Sequence, residues 1–134
     1  MALMSFNLSE VPNLVLAPDG PATLQCIRSE VAKSDKTGGE YISLCVKVTD
    51  QDNIQLIYHR LMLPVALGAD PDQADVEKNE GRLRRIKQAR EAFGLEPNVS
   101  SWDTDEFVGC TADAELKTEE SEGYDPKNAV RKFL

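Results

Sequence analysis

The sequence predicts a mainly β domain with one helix, in the element order β-β-β-α-β-β, behind an extended N-terminal arm. Three observations lead to this prediction. Residues 40–49 alternate apolar and polar side chains, residues 70–95 carry helix-capping signals at both ends, and turn-forming residues separate the other apolar runs. A chain of 134 residues, of which 41% are hydrophobic and 28% charged, has the size and composition of one globular domain.

The first 20 residues are expected to form the arm, and residues 21–134 the folded domain. Pro12 and Pro18 interrupt the arm, and each proline fixes φ and removes a backbone donor, so no long regular element fits there. We expect the apolar side chains of the arm to pack against the domain, namely Phe6, Leu8, Val11, Leu14, Val15 and Leu16.

A meander of three strands is predicted to open the domain. The first strand covers residues 22–33 and contains a β-bulge near Ile27 and Arg28, because its apolar residues change parity there. After a glycine-rich turn, the second strand covers residues 40–49. Side chains alternate faces along a strand, so the second strand has a core face and an opposite face. The core face carries Ile42, Leu44, Val46 and Val48, and the opposite face carries Tyr41, Ser43, Cys45 and Lys47.

The third strand is predicted over residues 54–63, and we expect its exposed side to carry Tyr58 and Arg60. A row of aromatic, small polar and cationic side chains suits a surface on which a flexible anionic polymer lies. The same row also suits an ordinary solvated sheet face, so the pattern leaves both interpretations open.

A helix follows the third strand. Asp70 is the predicted N-cap, Pro71 takes the first helical position and Gln73 completes a capping box. Gly94 ends the helix as a residue that favours positive φ. Acidic residues crowd the first half of the helix and basic residues the second, which suits the helix dipole and favours a stabilising role over a binding one. One apolar stripe is expected to face the core, formed by Val76, Leu83, Ile86 and Phe93.

Two strands complete the domain. Residues 102–109 are expected to form a short turn, and the fourth strand then runs from Cys110 to Lys117. Residues 119–123 are predicted to be a solvent-exposed hairpin loop, and the fifth strand covers residues 128–134. Five strands with one helix between the third and the fourth fit the small Greek-key barrel called the OB-fold. That fold binds single-stranded nucleic acid on its second and third strands.

The formal net charge of -8 is unevenly distributed along the chain. Residues 103–125 contain nine acidic residues and one lysine, and the rest of the chain has 14 acidic and 14 basic residues. The field over a local groove steers a charged partner more than the net charge does. The charge of the chain therefore neither establishes nor excludes a polyanionic partner.

Catalytic and metal-binding patterns are weak in this sequence. His59 is the single histidine, and no Ser-His-Asp, Walker or dinucleotide-binding signature is present, so we expect neither an enzyme nor a cofactor. Cys26, Cys45 and Cys110 lie far apart without a CxxC pair, which favours free thiols in a reducing cytosol over a disulfide or zinc site. No apolar run is long enough to span a membrane, so a soluble cytoplasmic protein is expected.

Several short motifs resemble a family of small phage proteins from replication and recombination modules. The resemblance spans nearly the whole chain and is carried by residues 6–12, 36–41, 59–63, 108–109 and 123–134. Members of this family are regarded as single-stranded-DNA-binding proteins of OB type. The resemblance therefore implies a phage protein of the host cytoplasm that binds single-stranded DNA, with phage replication or recombination proteins as further partners. Many such binders end in an acidic tail closed by Phe, whereas this chain ends in Arg131-Lys132-Phe133-Leu134 and its acidic segment is internal.

The candidate binding residues are aromatic side chains that stack on bases and cations that pair with phosphates. They are Lys33, Lys36, Tyr41, Lys47, Tyr58, Arg60, Trp102, Tyr124, Arg131 and Lys132. Trp102 also fits a core position, and each tyrosine also fits a barrel rim with its hydroxyl in water. The alternative function is a structural or adaptor β-barrel, either a virion component or an interaction module, whose acidic residues 103–125 contact a basic partner. The sequence leaves self-association open.

Overall fold

The chain folds into five antiparallel strands and one long helix, in the predicted order β-β-β-α-β-β. The structure is a computed structural model, and it describes residues 2–11, 13–35 and 38–134. The elements are β1 (Gly20–Lys33), β2 (Glu40–Val48), β3 (Ile57–Met62), α1 (Gln73–Ala92), β4 (Thr111–Ser121) and β5 (Tyr124–Phe133). The strands form a single sheet of order β3-β2-β1-β4-β5, which is not closed. The prediction of a mainly β domain with one helix is therefore confirmed. No helix in the described part of the chain is long and apolar enough to cross a membrane.

β1 is the longest strand, and it joins the two halves of the sheet. Its first residues pair with β4 and its later residues pair with β2. The register with β2 shifts between Cys26 and Arg28, so the predicted bulge is confirmed. A second bulge lies opposite Cys26, whose N–H donates to the Cys110 carbonyl at 2.9 Å and whose carbonyl accepts from Gly109 N–H at 2.7 Å. Gly109 has a φ of 87°, which only glycine adopts without strain. The two bulges bend β1, and the sheet curls around its core.

The core lies between the inner side of the curled sheet, α1 and a 3₁₀ turn at Thr104–Phe107. The alternation predicted for β2 holds, since its core face is buried from Ile42 to Val48. Phe107 is fully buried, and its ring meets that of Phe93 on α1 edge to face at 5.6 Å. Burial of a large aromatic ring is among the strongest single contributions to a small core. The core residues are Ala17, Ala22, Leu24, Cys26, Ile42, Leu44, Val46, Val48, Ile57, Leu61, Ile86, Ala89, Phe93, Phe107, Ala112, Ala114 and Leu116.

The helix begins two residues later than predicted, and the predicted stripe is confirmed in part, since Ile86 and Phe93 are buried. Asp72, and not Asp70, is the N-cap, and its Oδ1 accepts from the N–H of Ala74 at 3.3 Å. Leu83, expected in the apolar stripe, is 53% exposed, whereas Asn79 is buried. The Asn79 amide bonds both backbone groups of residue 65 in the preceding loop, at 2.9 and 2.8 Å. These two bonds hold the loop that precedes α1 against the helix.

The helix ends just before the predicted glycine, with Ala92 as its last residue and Phe93 as its C-cap. Gly94 has a φ of 76°, and the N–H of Leu95 donates to the carbonyl of Arg90 at 2.8 Å. This geometry satisfies a carbonyl that the last helical turn leaves free. The C-terminal cap is therefore confirmed.

Several strand boundaries differ from the prediction, most of all in β3 and in the hairpin of β4 and β5. β3 begins at Ile57 and not at residue 54, because Val15 takes the backbone groups of that segment: its N–H donates to Asn53 at 2.8 Å and its carbonyl accepts from Gln55 at 2.9 Å. The hairpin of β4 and β5 is longer than predicted, since the two strands pair as far as Ser121 and Tyr124. The expected solvent-exposed loop at residues 119–123 is thus strand with a tight turn.

The N-terminal residues contact the sheet only in part. Ala17 is buried, its N–H donates to Asn128 Oδ1 at 2.8 Å, and its carbonyl accepts from Asn128 Nδ2 at 3.0 Å. The expectation that the apolar side chains of this segment pack against the domain is wrong for most of them. Exposed fractions above one half are found for Phe6, Leu8, Val11, Leu14 and Val15. The described residues 2–11 make their hydrogen bonds within their own short turn, and Val15 bonds to residues 53 and 55 through its backbone while its side chain stays exposed.

Candidate nucleic-acid interface

The side of β1, β2 and β3 that faces away from the core forms a continuous three-strand surface. Pairing between the strands aligns its side chains in rows, such as Arg28–Cys45–Tyr58 across the three strands. Here this surface is called the outer face, and its residues are Gln25, Arg28, Glu30, Ala32, Tyr41, Ser43, Cys45, Lys47, Tyr58, Arg60 and Met62. The sequence-based assignment of Tyr58 and Arg60 to one exposed side agrees with this arrangement.

Tyr58 has the open aromatic ring of the outer face. The side chain is 55% exposed, and the hydroxyl accepts a hydrogen bond from Arg28 Nη2 at 3.2 Å. Cys45 lies between them in the same row and is only 1% exposed. The Cys45 thiol therefore lies beneath this surface, and the Tyr58 ring and the Arg28 guanidinium are its accessible groups.

Tyr41 is also on the outer face, but its ring is covered. Only 9% of the residue is exposed, because the Arg60 guanidinium lies over the ring with its central carbon 4.5 Å from the ring centroid. Arg60 pairs with Ser43 and is thus the diagonal neighbour of Tyr41, a distance that long side chains span. The expected open ring at Tyr41 is replaced by an exposed guanidinium plane. Such a plane itself stacks on flat rings.

The outer face is electropositive within an acidic protein. It carries Arg28, Lys47 and Arg60 against the single carboxylate of Glu30. None of the ion pairs between described residues involves these three cations, so their charges are available to a ligand. Lys33 is exposed at the end of β1, but it pairs with Glu40 and lies on the opposite side of the strand from Ala32, so the register does not place this predicted residue on the outer face. The predicted contact at Lys36 lies outside the described residues.

Trp102 belongs to the helix side of the core and not to the outer face. Its ring meets Phe107 edge to face at 6.2 Å and packs against the core cluster. Arg90 lies over the same ring at 5.1 Å, is 3% exposed, and pairs with Glu106 at 3.2 Å. The hydrogen bond from the Asp103 N–H, and then the one from Arg90, lower the pKa of Glu106. Trp102 and Arg90 are thus part of a structural cluster, as the core interpretation of Trp102 expects.

The remaining predicted residues lie on the hairpin of β4 and β5. Tyr124 is 80% exposed at the turn of this hairpin, away from the outer-face rows. Arg131 and Lys132 are exposed on β5, and each lies 3.7 Å from a carboxylate oxygen of Glu115. One carboxylate therefore serves two cations, which leaves one positive charge in excess.

A cleft of about 650 Å³ opens between β3, α1 and β5, where the two edges of the sheet approach each other. We call it the edge cleft, and its charged and aromatic lining consists of His59, Arg60, Arg85, Glu91, Arg131, Lys132 and Phe133. The His59 ring meets the Phe133 ring edge to face at 5.3 Å, and burial lowers the pKa of His59. Arg60 belongs both to the outer face and to this cleft.

Sequence reasoning missed two cations that the structure brings to these surfaces. Arg28 joins the outer face through the bulge in β1, which reverses the side-chain parity that precedes it. Arg85 was assigned to the basic half of the helix, but it faces the edge cleft. A signal for Arg28 existed in the parity change near Ile27. The sequence carries no comparable signal for Arg85, since the cleft forms between elements that are far apart along the chain.

The chemistry open to the outer face is stacking and phosphate pairing, from one exposed ring, one exposed guanidinium plane and further cations. Among the described residues, no group of three or more His, Cys, Asp and Glu side chains is placed to hold a metal ion. Neither a protein-family model nor a curated protein matches this chain.

Proposed function

We propose that this protein binds single-stranded DNA without base specificity, through the outer face of β1, β2 and β3. The observation that carries the proposal is the pairing of two arginines with two tyrosines in neighbouring rows, Arg28 with Tyr58 and Arg60 with Tyr41. Stacking of one base on an aromatic side chain contributes roughly 1–3 kcal/mol and accepts every base, since each base has a π-face. Cations beside such rings pair with the phosphates.

The arrangement of strands supports an OB-fold in this proposal. In that fold a five-stranded Greek-key barrel, often partly open, binds oligonucleotides on its second and third strands. A sheet of order β3-β2-β1-β4-β5 with the helix between β3 and β4 is compatible with it. The approach of His59 on β3 to Phe133 on β5 is what a nearly closed barrel requires. We further propose that the protein acts in a phage replication or recombination module, on the resemblance of its short motifs.

Tyr58 and Arg60 are the two exposed stacking groups of the proposed site. They are two residues apart on one strand, which corresponds to roughly 6.7 Å along it. One base stacks on the Tyr58 ring, and a neighbouring base stacks on the Arg60 guanidinium that rests on Tyr41. Arg28 lies in the same row as Tyr58 and Lys47 lies beyond that row on β2, and both pair with the phosphates. Because no base edge is read in this scheme, binding is independent of sequence.

The test is a titration of fluorescently labelled 20-mer oligothymidine, followed by anisotropy at low and at physiological salt. A duplex of the same length is the comparison. We expect binding to the single strand that weakens as salt rises, with a log-log slope of about -0.7 per phosphate contact. No binding at low salt, or equal affinity for the duplex, would reject the proposal.

A second candidate function is an adaptor or virion component, and the exposed N-terminal side chains favour it. Leu3 is 98% exposed, Phe6 79% and Leu8 76%, and a contiguous set of exposed apolar residues often marks a protein interface. Light scattering after size exclusion discriminates the two functions. If the protein is an adaptor that self-associates through this segment, it forms an oligomer, and the double substitution Phe6→Ser and Leu8→Ser dissociates that oligomer. The DNA-binding proposal does not depend on these residues.

A further inference from the structure

We infer that the edge cleft is a second phosphate-binding surface, into which a long single strand continues from the outer face around β3. This inference rests on the proposed function, because it concerns the path of the same ligand. It goes further in assigning Arg85 on α1, together with β5, to nucleic-acid binding.

The edge cleft concentrates positive charge in a protein that is otherwise strongly acidic. Four cations line it, namely Arg60, Arg85, Arg131 and Lys132. Two carboxylates offset them, Glu91 in the cleft and Glu115 beside β5, so the group carries 4 - 2 = +2. The formal charge of the whole chain is -8, so all other residues together carry -10. A polyanion therefore meets repulsion over most of the surface and attraction at this cleft.

The cations of the cleft are available for a ligand. Among the described residues, Arg85 takes part in no ion pair, side-chain hydrogen bond or cation–π contact. Arg131 and Lys132 each lie 3.7 Å from an oxygen of the Glu115 carboxylate, a distance too long for a direct hydrogen bond. The planar guanidinium fork of arginine matches the oxygens of a phosphate, and the cleft offers three such groups from three different elements.

The outer face and the edge cleft are continuous through β3. This strand is at the edge of the sheet, so a ligand passes around it without crossing another strand. Along it, Tyr58 faces outward, His59 faces the cleft, and Arg60 contributes to both surfaces. Cations that come from three separate elements, β3, α1 and β5, suit an extended polyanion with several phosphates. A single strand long enough to leave Arg60 therefore meets Arg85 and then Arg131.

Substitution of the cleft cations should selectively weaken the binding of long oligonucleotides. Affinities for 6-mer and 20-mer oligothymidine are measured for the natural chain, Arg85→Gln and Arg131→Gln. We expect each variant to bind the 20-mer about threefold to tenfold more weakly and the 6-mer with unchanged affinity, since the short strand fills only the outer face. Arg84→Gln is the matched control, because Arg84 is an exposed cation on the same helix and outside the cleft.

His59 supplies a second readout that needs no substitution. It is the only histidine of the chain, so its imidazole NMR signals are identified without ambiguity. We expect these signals to move when the 20-mer binds and to stay in place with the 6-mer or with inorganic phosphate at the same phosphate concentration.

The outcomes separate the inference from the proposed function. If both oligonucleotides bind, the cleft variants behave like Arg84→Gln and the His59 signals stay in place, the inference is overturned and the outer-face proposal stands. If neither oligonucleotide binds the natural chain, the proposed function fails and this inference fails with it. Movement of the His59 signals with inorganic phosphate alone, without the length effect, also overturns it, since the cleft is then a site for a small anion.

Discussion

Tyr58 offers the sharpest test of the outer face, because substitutions there separate the ring from the hydroxyl. Tyr58→Ala removes the exposed ring, and Tyr58→Phe removes only the oxygen that accepts from Arg28 at 3.2 Å. The ring is 55% exposed and outside the core cluster, so we expect both variants to fold. The comparison therefore reports on binding and not on folding.

The magnitude follows from the stacking energy. One base stacked on one ring contributes roughly 1–3 kcal/mol, which corresponds to a rise in Kd of about 5- to 150-fold for Tyr58→Ala. Tyr58→Phe keeps the ring, and Arg28 keeps its charge, so we expect less than about a threefold change. Tyr124→Ala is the control for loss of an exposed tyrosine, because Tyr124 lies at the turn of the other hairpin.

Anisotropy of a labelled 6-mer oligothymidine is the assay, since a short strand restricts the measurement to the outer face. Thermal unfolding followed by circular dichroism verifies that each variant is folded at the assay temperature. Equal affinities for Tyr58→Ala and Tyr124→Ala would refute the stacking role of Tyr58. A loss with Tyr58→Phe as large as with Tyr58→Ala would instead show that the hydrogen bond to Arg28, and not the ring, governs binding.

Three further predictions concern stability and are tested by urea unfolding. Asn128→Ala leaves both backbone groups of Ala17 unpaired in a buried site, and we expect a loss of roughly 2–4 kcal/mol; no change would contradict the anchoring role of this amide. Asp72→Ala removes the helix cap and should lower the free energy of unfolding by roughly 0.5–2 kcal/mol. Asp70→Ala is the matched control and should change it little. A larger loss with Asp70→Ala than with Asp72→Ala would instead identify Asp70 as the cap, as the sequence predicted. Burial lowers the pKa of His59 below 6.5, so the unfolded chain takes up the proton first as pH falls, and stability should fall below about pH 6.5 until the folded state also protonates. His59→Gln should remove this part of the pH dependence, and an unchanged slope between pH 7.5 and 5.5 would contradict it.

The acidic segment of residues 103–125 does not act as one surface. Its first carboxylates serve the 3₁₀ turn at Thr104–Phe107, where Asp103 and Glu106 form a capping box. Farther along, Glu115 pairs with two cations of β5, and the last carboxylates lie near the end of the hairpin, on both strands and in the turn. The sequence presents these residues as one charged block because they are close along the chain. The fold distributes them over a turn, a strand and a hairpin tip.

Much of the candidate site could be derived from the pattern of β2 and β3. Strict alternation assigned Tyr41 and Lys47 to one face, and the face of Tyr58 and Arg60 agreed with the strand register. The covered state of Tyr41 could not be derived, since it depends on a diagonal contact with Arg60 across two strands. Alternation gives the side of a sheet on which a residue lies. It does not give the neighbour that reaches over it.

The sequence by itself determined the order of the elements, the bulge in β1, the core face of β2 and the glycine that ends α1. Each of these depends on neighbours along the chain, through side-chain period or the φ that a residue tolerates. Tertiary structure alone decided the bonds of Asn79 to the loop before α1, the cover over Tyr41 and the meeting of Arg60, Arg85 and Arg131 in one cleft. These depend on contacts between residues far apart in sequence. Their energies are set by buried polar groups and strand register, which no local pattern encodes.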